Sequence, residues 1–214
     1  EARMMAHGSV ELLEKAKIFK RLEEAVADCA LIVGTSHKVK RDGHPTLSAR
    51  EIGPKLAPYC EKNKVPILFG RESRGLSNEE LYLCTWLVNI PSHSFYPSLN
   101  LAQAVLVVCY ELFMASTTAK ISAMPELAQN VDVEKFLDYV SQLLDMAGFH
   151  HKNGVEAVYR AALRRVLSRI GVQRQYIKVF YKLFAQFTKF IPDVSLPEEV
   201  ASVVDDLGNR EVQS

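Results

Sequence analysis

The sequence predicts an α/β domain built on a parallel sheet, followed by a small extension made only of helices. Three observations predict it. Short, continuous apolar runs rich in β-branched residues end on Gly or Pro, as strands buried on both faces do. A helical stretch of crossover length separates the first two of them. Beyond residue 131 only the helical period is present.

The first run is Ala30-Leu31-Ile32-Val33, closed by Gly34-Thr35-Ser36. The crossover helix falls at about 48–63. Val65-Pro66-Ile67-Leu68-Phe69 is the second run, closed by Gly70. Ser77 and Glu80 form an S-x-x-E capping box that starts a short helix over 78–84. The third run, Leu87-Val88-Asn89-Ile90, stops at Pro91, and a long helix runs from Asn100 to about Met114. Small polar residues and Met124-Pro125 then break the pattern across 115–131.

In the second half, Phe136, Leu137, Val140, Leu143 and Leu144 recur at helical spacing over 133–147. Over 155–170, Val155, Tyr159, Val166 and Ile170 share one arc, with Arg160, Arg164, Arg165 and Arg169 opposite it. Over 176–191, Phe180, Phe184, Phe187 and Ile191 form a stripe that reads as core rather than as a base-stacking platform. The expected division is an α/β domain at 1–117, a linker at 118–131, a basic helical extension at 132–191 and an acidic tail at 192–214.

A chain of 214 residues, 48% hydrophobic and 24% charged, is ordinary for a globular protein with one sizeable domain. No apolar run is long enough for a membrane span, and no secretory signal follows Glu1. Because the sequence opens on Glu-Ala-Arg rather than Met, an upstream segment is expected. The four cysteines, Cys29, Cys60, Cys84 and Cys109, lack zinc-knuckle or CxxC spacing. They read as small buried thiols of a cytoplasmic protein that holds no metal.

Charge is distributed unevenly. Residues 150–190 hold nine Lys or Arg against one acid, and 191–214 hold six acids against one Arg. That asymmetry concerns partners rather than fold. The acidic tail either folds back on the basic helices or stays apart from them.

Ligands of α/β domains collect at the carboxyl ends of the strands, and all three predicted exits are rich in turn and polar residues. Gly70 to Gly75 has the spacing of a phosphate loop, but Leu76 stands where its Lys belongs, so that reading fails. No GxGxxG occurs, which argues against a dinucleotide site. Ser98 and Asn100 are candidate caps for the long helix as well as candidate site residues. Glu72 reads as a loop carboxylate, and Arg71 and Arg74 as loop ion pairs or phosphate contacts. His93 and His150-His151 read as solvated.

The succession Phe69-Gly70-Arg71-Glu72-Ser73-Arg74-Gly75-Leu76-Ser77, then Ile90-Pro91, then Ser98-Leu99-Asn100-Leu101-Ala102-Gln103-Ala104 resembles the signature motifs of the SpoU/TrmH branch of SPOUT RNA 2′-O-ribose methyltransferases. Gly34-Thr35-Ser36 and the helical extension make it most similar to the TrmJ-type tRNA enzymes. The resemblance covers most of 1–115 and, more loosely, the helices beyond.

It implies a trefoil knot, with the helix from Asn100 tucked through the loop around 70–76. It implies S-adenosylmethionine held at Thr35, Ser36, His37, Gly70, Ile90, Pro97, Ser98 and Leu99. Ser98, Glu72 and Asn100 would serve catalysis, and Arg71, Arg74, Arg160 and Arg164 would contact RNA. The family's hydroxyl-activating Arg is expected upstream of Glu1. The implied activity is 2′-O-methylation of RNA, with a tRNA anticodon-loop nucleotide as the target, by a homodimer whose active site lies near the subunit interface. A catalytically inactive RNA-binding module on the same scaffold, or an enzyme acting on rRNA, stays open at this point.

Overall fold

A computed structural model describes residues 7–37, 44–93, 95, 99–118, 124–148 and 155–190. Two short helices, α1 (Val10–Lys15) and α2 (Leu22–Ala25), precede the sheet. The sheet comprises β1 (Val33–Thr35), β2 (Thr46–Ser48), β3 (Ile67–Leu68) and β4 (Trp86–Asn89), in the order β2-β4-β1-β3. Every neighbouring pair is parallel, with Val33 opposite Ile67 and Trp86, and Thr46 opposite Leu87. The carboxyl ends of all four strands therefore open on one edge.

β2 is absent from the sequence reading. It is a three-residue edge strand of Thr46, Leu47 and Ser48, too short and too polar to stand out. Its last residue, Ser48, caps α3 (Ala49–Cys60) in a reciprocal capping box with Glu51. Pro54 and Pro58 each remove a ladder bond from α3, and the helix is held by packing instead. At Gly53 it lies so close to α5 (Leu101–Thr118) that a Cβ would stand 2.8 Å from the Glu111 carbonyl oxygen.

The central strands β1 and β4 are buried on both faces, as continuous apolar runs require, and the edge strands β2 and β3 are half-buried. Leu31, Val33 and Val88 pack with Ile52 and Leu56 of α3 and Val108 of α5 on one side. Ile32 and Leu87 pack with Val26, Leu83 and Cys84 on the other, under α4 (Asn78–Tyr82).

The extension is α6 (Asn130–Met146), α7 (Val155–Ile170) and α8 (Arg174–Phe187). Its core joins Phe136, Leu137 and Tyr139 to Leu167, Ile177 and Tyr181, with Phe180 and Phe184 against them. The aromatic stripe of α8 is thus core at those two positions, whereas Phe187 is exposed and Ile191 lies outside the described residues. The segment before α6 is packed: Leu127 belongs to the sheet core, and the Asn63 carboxamide bonds both its N–H and the Pro125 carbonyl. Asn130 and Val131 N–H groups donate to Cys29 and Ala27, docking the extension on the α/β unit.

Two expectations need correction. Cys29 and Cys84 are buried, but Cys60 and Cys109 are exposed. Burial pushes the Cys84 thiol up to about 12 and the Cys29 thiol up to about 11. At pH 8 an alkylating reagent therefore labels Cys60 in the native protein, while Cys29 and Cys84 react only after unfolding. Mass spectrometry of labelled peptides with and without denaturant reads this directly. Native labelling of Cys84 at the rate of Cys60 would show that the core is not closed as described.

The division of α7 into an apolar arc and an opposite arginine face also needs correction. Val166 and Ile170 are 50% and 70% exposed, whereas Arg164 is 2% exposed. Leu163 and Leu167, beside Arg164, are the residues that face the core.

Candidate active site

The shared carboxyl edge of β1, β3 and β4 and the start of α5 enclose a cleft of about 340 Å³. Three strand exits and one helix entry build it, so residues far apart in sequence meet there. From β1 come Thr35, Ser36 and His37; from β3, Phe69 and the loop 70–76; from β4, Val88 and Ile90; from α5 and its approach, Leu99, Leu101 and Ala104.

Local chemistry fixes each wall. The Thr35 hydroxyl donates to the Leu68 carbonyl at 3.0 Å, tying the β1 exit to β3. The Ser36 N–H donates to the Val88 carbonyl at 2.9 Å and ends the ladder. Just beyond, the Asn89 carboxamide donates to the carbonyls of Ser36 (3.1 Å) and His37 (3.0 Å). Asn89 was missed in the sequence because it reads as one polar residue inside an apolar strand.

The loop after β3 closes on itself. Arg71 N–H donates to Gly75 at 3.2 Å and Gly75 N–H to Arg71 at 2.7 Å. Gly75 has φ +68°, a left-handed conformation that glycine adopts without strain. At Gly70 a Cβ would lie 2.1 Å from the Gly75 carbonyl carbon and 2.2 Å from the Leu76 nitrogen. Only a bare backbone fits there.

Arg71 reaches out of the loop to Glu80, with contacts of 3.1 and 3.3 Å. The same Glu80 carboxylate accepts from the Ser77 N–H at 2.7 Å, closing the predicted capping box. Arg71 is thus an ion pair that fastens the loop to α4, while Arg74 lines the cleft. Asn100 caps α5, its Oδ1 accepting from Ala102 N–H at 2.9 Å, and its Nδ2 faces Glu72 at 3.5 Å.

Of the predicted donor-contact residues, Thr35, Ser36, His37, Gly70, Ile90 and Leu99 line this one cleft. Pro97 and Ser98 lie outside the described residues. Glu72, Arg71 and Arg74 line it too. His93 turns away to stack on Phe95 at 5.5 Å.

Arg160 and Arg164 are elsewhere, and the expectation that they meet RNA fails for Arg164 on burial. Its guanidinium pairs with Glu134, donates to Asn130 Oδ1 at 2.7 Å and lies 5.4 Å from the centroid of the Tyr82 ring. Arg160 is engaged by Glu134 and Asp138 at 2.5 and 2.7 Å. Both tie the extension together. Among the described residues no group of His, Cys, Asp and Glu could hold a metal ion, and no helix is long and apolar enough to cross a membrane.

A cleft with apolar walls from Leu76, Val88 and Ile90 and with polar loop groups at its rim suits a ligand that joins a flat apolar body to charged ends. Comparison with known proteins agrees in kind. The model of the SpoU rRNA Methylase family matches residues 1–110. The chain is 34% identical over 192 residues to the tRNA (cytidine/uridine-2′-O-)-methyltransferase TrmJ of Klebsiella pneumoniae, covering 86% of this chain and 78% of that one. It is 32% identical over 196 residues to the enzyme of the same name from Yersinia pestis, covering 88% and 76%. The crystal structure of TrmJ from Z. mobilis ZM4 superposes with a TM-score of 0.74 at 25% identity, covering 87% of this chain and 80% of that one.

Proposed function

The chain belongs to the SpoU methylase family, and from that premise we propose that it transfers a methyl group from S-adenosylmethionine to a ribose 2′-hydroxyl of tRNA. The observation that carries the reading is the cleft itself. Strand exits and a helix entry that are remote in sequence converge on one volume, and most of the residues lining it fall in the segments 34–36, 69–77, 90–91 and 98–104.

The cleft suits the donor in size, since about 340 Å³ lies in the range of small-molecule sites. Leu76, Val88 and Ile90 would flank the base, and the backbone of 35–37 and 70–75 would hold the ribose and the amino-acid end. When bound, the donor supplies a sulfonium methyl that is already activated. The protein's part is then to place the ribose hydroxyl in line and help remove its proton.

We assign Ser98, Glu72 and Asn100 to that hydroxyl, with Asn100 also fixing the start of α5. Arg74, which lines the cleft and is exposed, would meet an RNA phosphate. Threading of α5 through the loop 70–76 would form the knot, and the cleft shared by Gly70, Leu99 and Ala104 supports it. An apolar stripe on α5, with Leu106 69% exposed alongside Tyr110 and Phe113, supports a homodimer built across this helix. The anticodon loop as target and the division into an α/β domain, linker, basic extension and acidic tail stand as parts of the same proposal.

Calorimetric titration of S-adenosylmethionine into the full-length protein tests the reading, beside a Ser98→Ala, Asn100→Ala double variant. Saturable binding that weakens in the variant, with methyl incorporation into a tRNA transcript that drops with it, is the expected result. A folded protein that binds no donor would refute the enzyme and leave an RNA-binding module. Methyl transfer to rRNA but not to tRNA would correct the substrate.

A further inference from the structure

We infer that Asn89 is a positioning residue of the donor site, its carboxamide setting the course of the chain through Ser36 and His37. The inference rests on the proposal that the cleft takes S-adenosylmethionine. It starts from the end of the sheet. The β1–β4 register stops at Thr35 opposite Val88, and the last ladder bond runs from Ser36 N–H to the Val88 carbonyl. Past that point no named strand pairing among the described residues includes Ser36 or His37, although both residues form the cleft wall.

Beyond a ladder's end, backbone carbonyls can take their donors from a side chain, and Asn89 supplies one to each. A primary amide carries two N–H bonds on one nitrogen, and here Nδ2 lies 3.1 Å from the Ser36 oxygen and 3.0 Å from the His37 oxygen. Two adjacent peptide units are thereby turned toward Asn89, which sets how the rest of each unit faces the cleft. Asn89 itself is held by the β2 ladder, opposite Ser48. The wall is therefore anchored to the sheet before any donor arrives, which lowers the ordering cost of binding.

The chemistry of the side chain makes the inference sharp. Alanine at 89 removes both bonds. Aspartate keeps the shape but presents a carboxylate, an acceptor only, to two carbonyl oxygens. Below its own pKa the same aspartate carries one O–H and restores one bond. Repulsion from the carbonyls raises that pKa above the ordinary carboxylate value, so the variant's defect is present at high pH and lifts as pH falls. His37, the neighbouring imidazole, is common to wild type and variant, so the ratio of the two isolates residue 89.

The experiment is donor titration and steady-state kinetics of the full-length wild type, Asn89→Ala and Asn89→Asp between pH 5 and 8, with thermal melting of each. Expected for Asn89→Ala is a roughly tenfold rise in Kd and KM for the donor, about the worth of one to two neutral hydrogen bonds, with kcat and the KM for tRNA within twofold. Asn89→Asp binds more weakly than Asn89→Ala at pH 8 and recovers relative to wild type at pH 5. Folded variants that bind the donor as wild type does would overturn the inference while leaving the enzyme reading intact. The same holds for equal losses in kcat and both KM values, or an Asp variant whose defect ignores pH. A wild type that binds no donor overturns both.

Discussion

Gly70→Ala is expected to abolish measurable donor binding and to destabilise the α/β unit. The new Cβ would sit 2.1 to 2.5 Å from three backbone atoms of Gly75 and Leu76, and no side-chain rotation can relieve a clash with main chain. The loop must open, breaking the paired Arg71–Gly75 bonds. Forced overpacking of this kind costs about 1–3 kcal/mol, read as a lower denaturant midpoint. Displacing the cleft wall by even about 1 Å lowers rate or affinity by about 100-fold. Gly75→Ala is the informative companion. Nothing stands within 4 Å of its Cβ, so its cost is the left-handed φ alone, about 1–2 kcal/mol, and donor binding should survive. Binding by Gly70→Ala within threefold of wild type would mean that the loop is not the closed turn described above.

The same glycines explain how much of the site could be read in the sequence. A strand that must end on a ligand edge ends on residues that permit a sharp turn, so Gly34, Gly70 and Pro91 mark three exits without any knowledge of pairing. Ser77 and Glu80 likewise announce a helix start, because both halves of a capping box lie within one turn. What could not be read depends on partners remote in sequence. β2 is recognisable only through its ladder with β4. Asn89 has a purpose only because Ser36 and His37 lie beside it, more than fifty residues earlier in the chain.

α7 shows a different failure. It carries two apolar arcs, one through Leu163 and Leu167 and one through Tyr159, Val166 and Ile170. Periodicity says that the faces differ and is silent on which turns inward. The arc through Tyr159, Val166 and Ile170 is the one that stands out in the sequence. The structure chose the other because the Glu134 carboxylate and the Asn130 amide on α6, together with the Tyr82 ring, stand ready to receive Arg164.

That choice has a large energetic consequence at Arg164. Arg164→Ala is expected to cost about 3 kcal/mol of stability, the lower end for breaking a buried ion pair. The lower end applies because Glu134 is 32% exposed and keeps its bond to Arg160. Arg164→Met, which fills most of the stem's volume, should cost less, since the buried apolar stem is largely replaced. Denaturant unfolding of the full-length protein measures both. For RNA the expectation runs opposite to the sequence pattern. Each phosphate contact adds about 0.9 to the slope of log affinity against log salt on a duplex and about 0.7 on a single strand. A guanidinium 2% exposed cannot make such a contact without leaving Glu134, so folded Arg164→Met keeps the wild-type slope for tRNA. Arg165, exposed one residue further on, is the α7 position whose removal should lower the slope by about one contact. A slope that falls in Arg164→Met and holds in Arg165→Ala would place the basic face of the extension on the opposite side of α7.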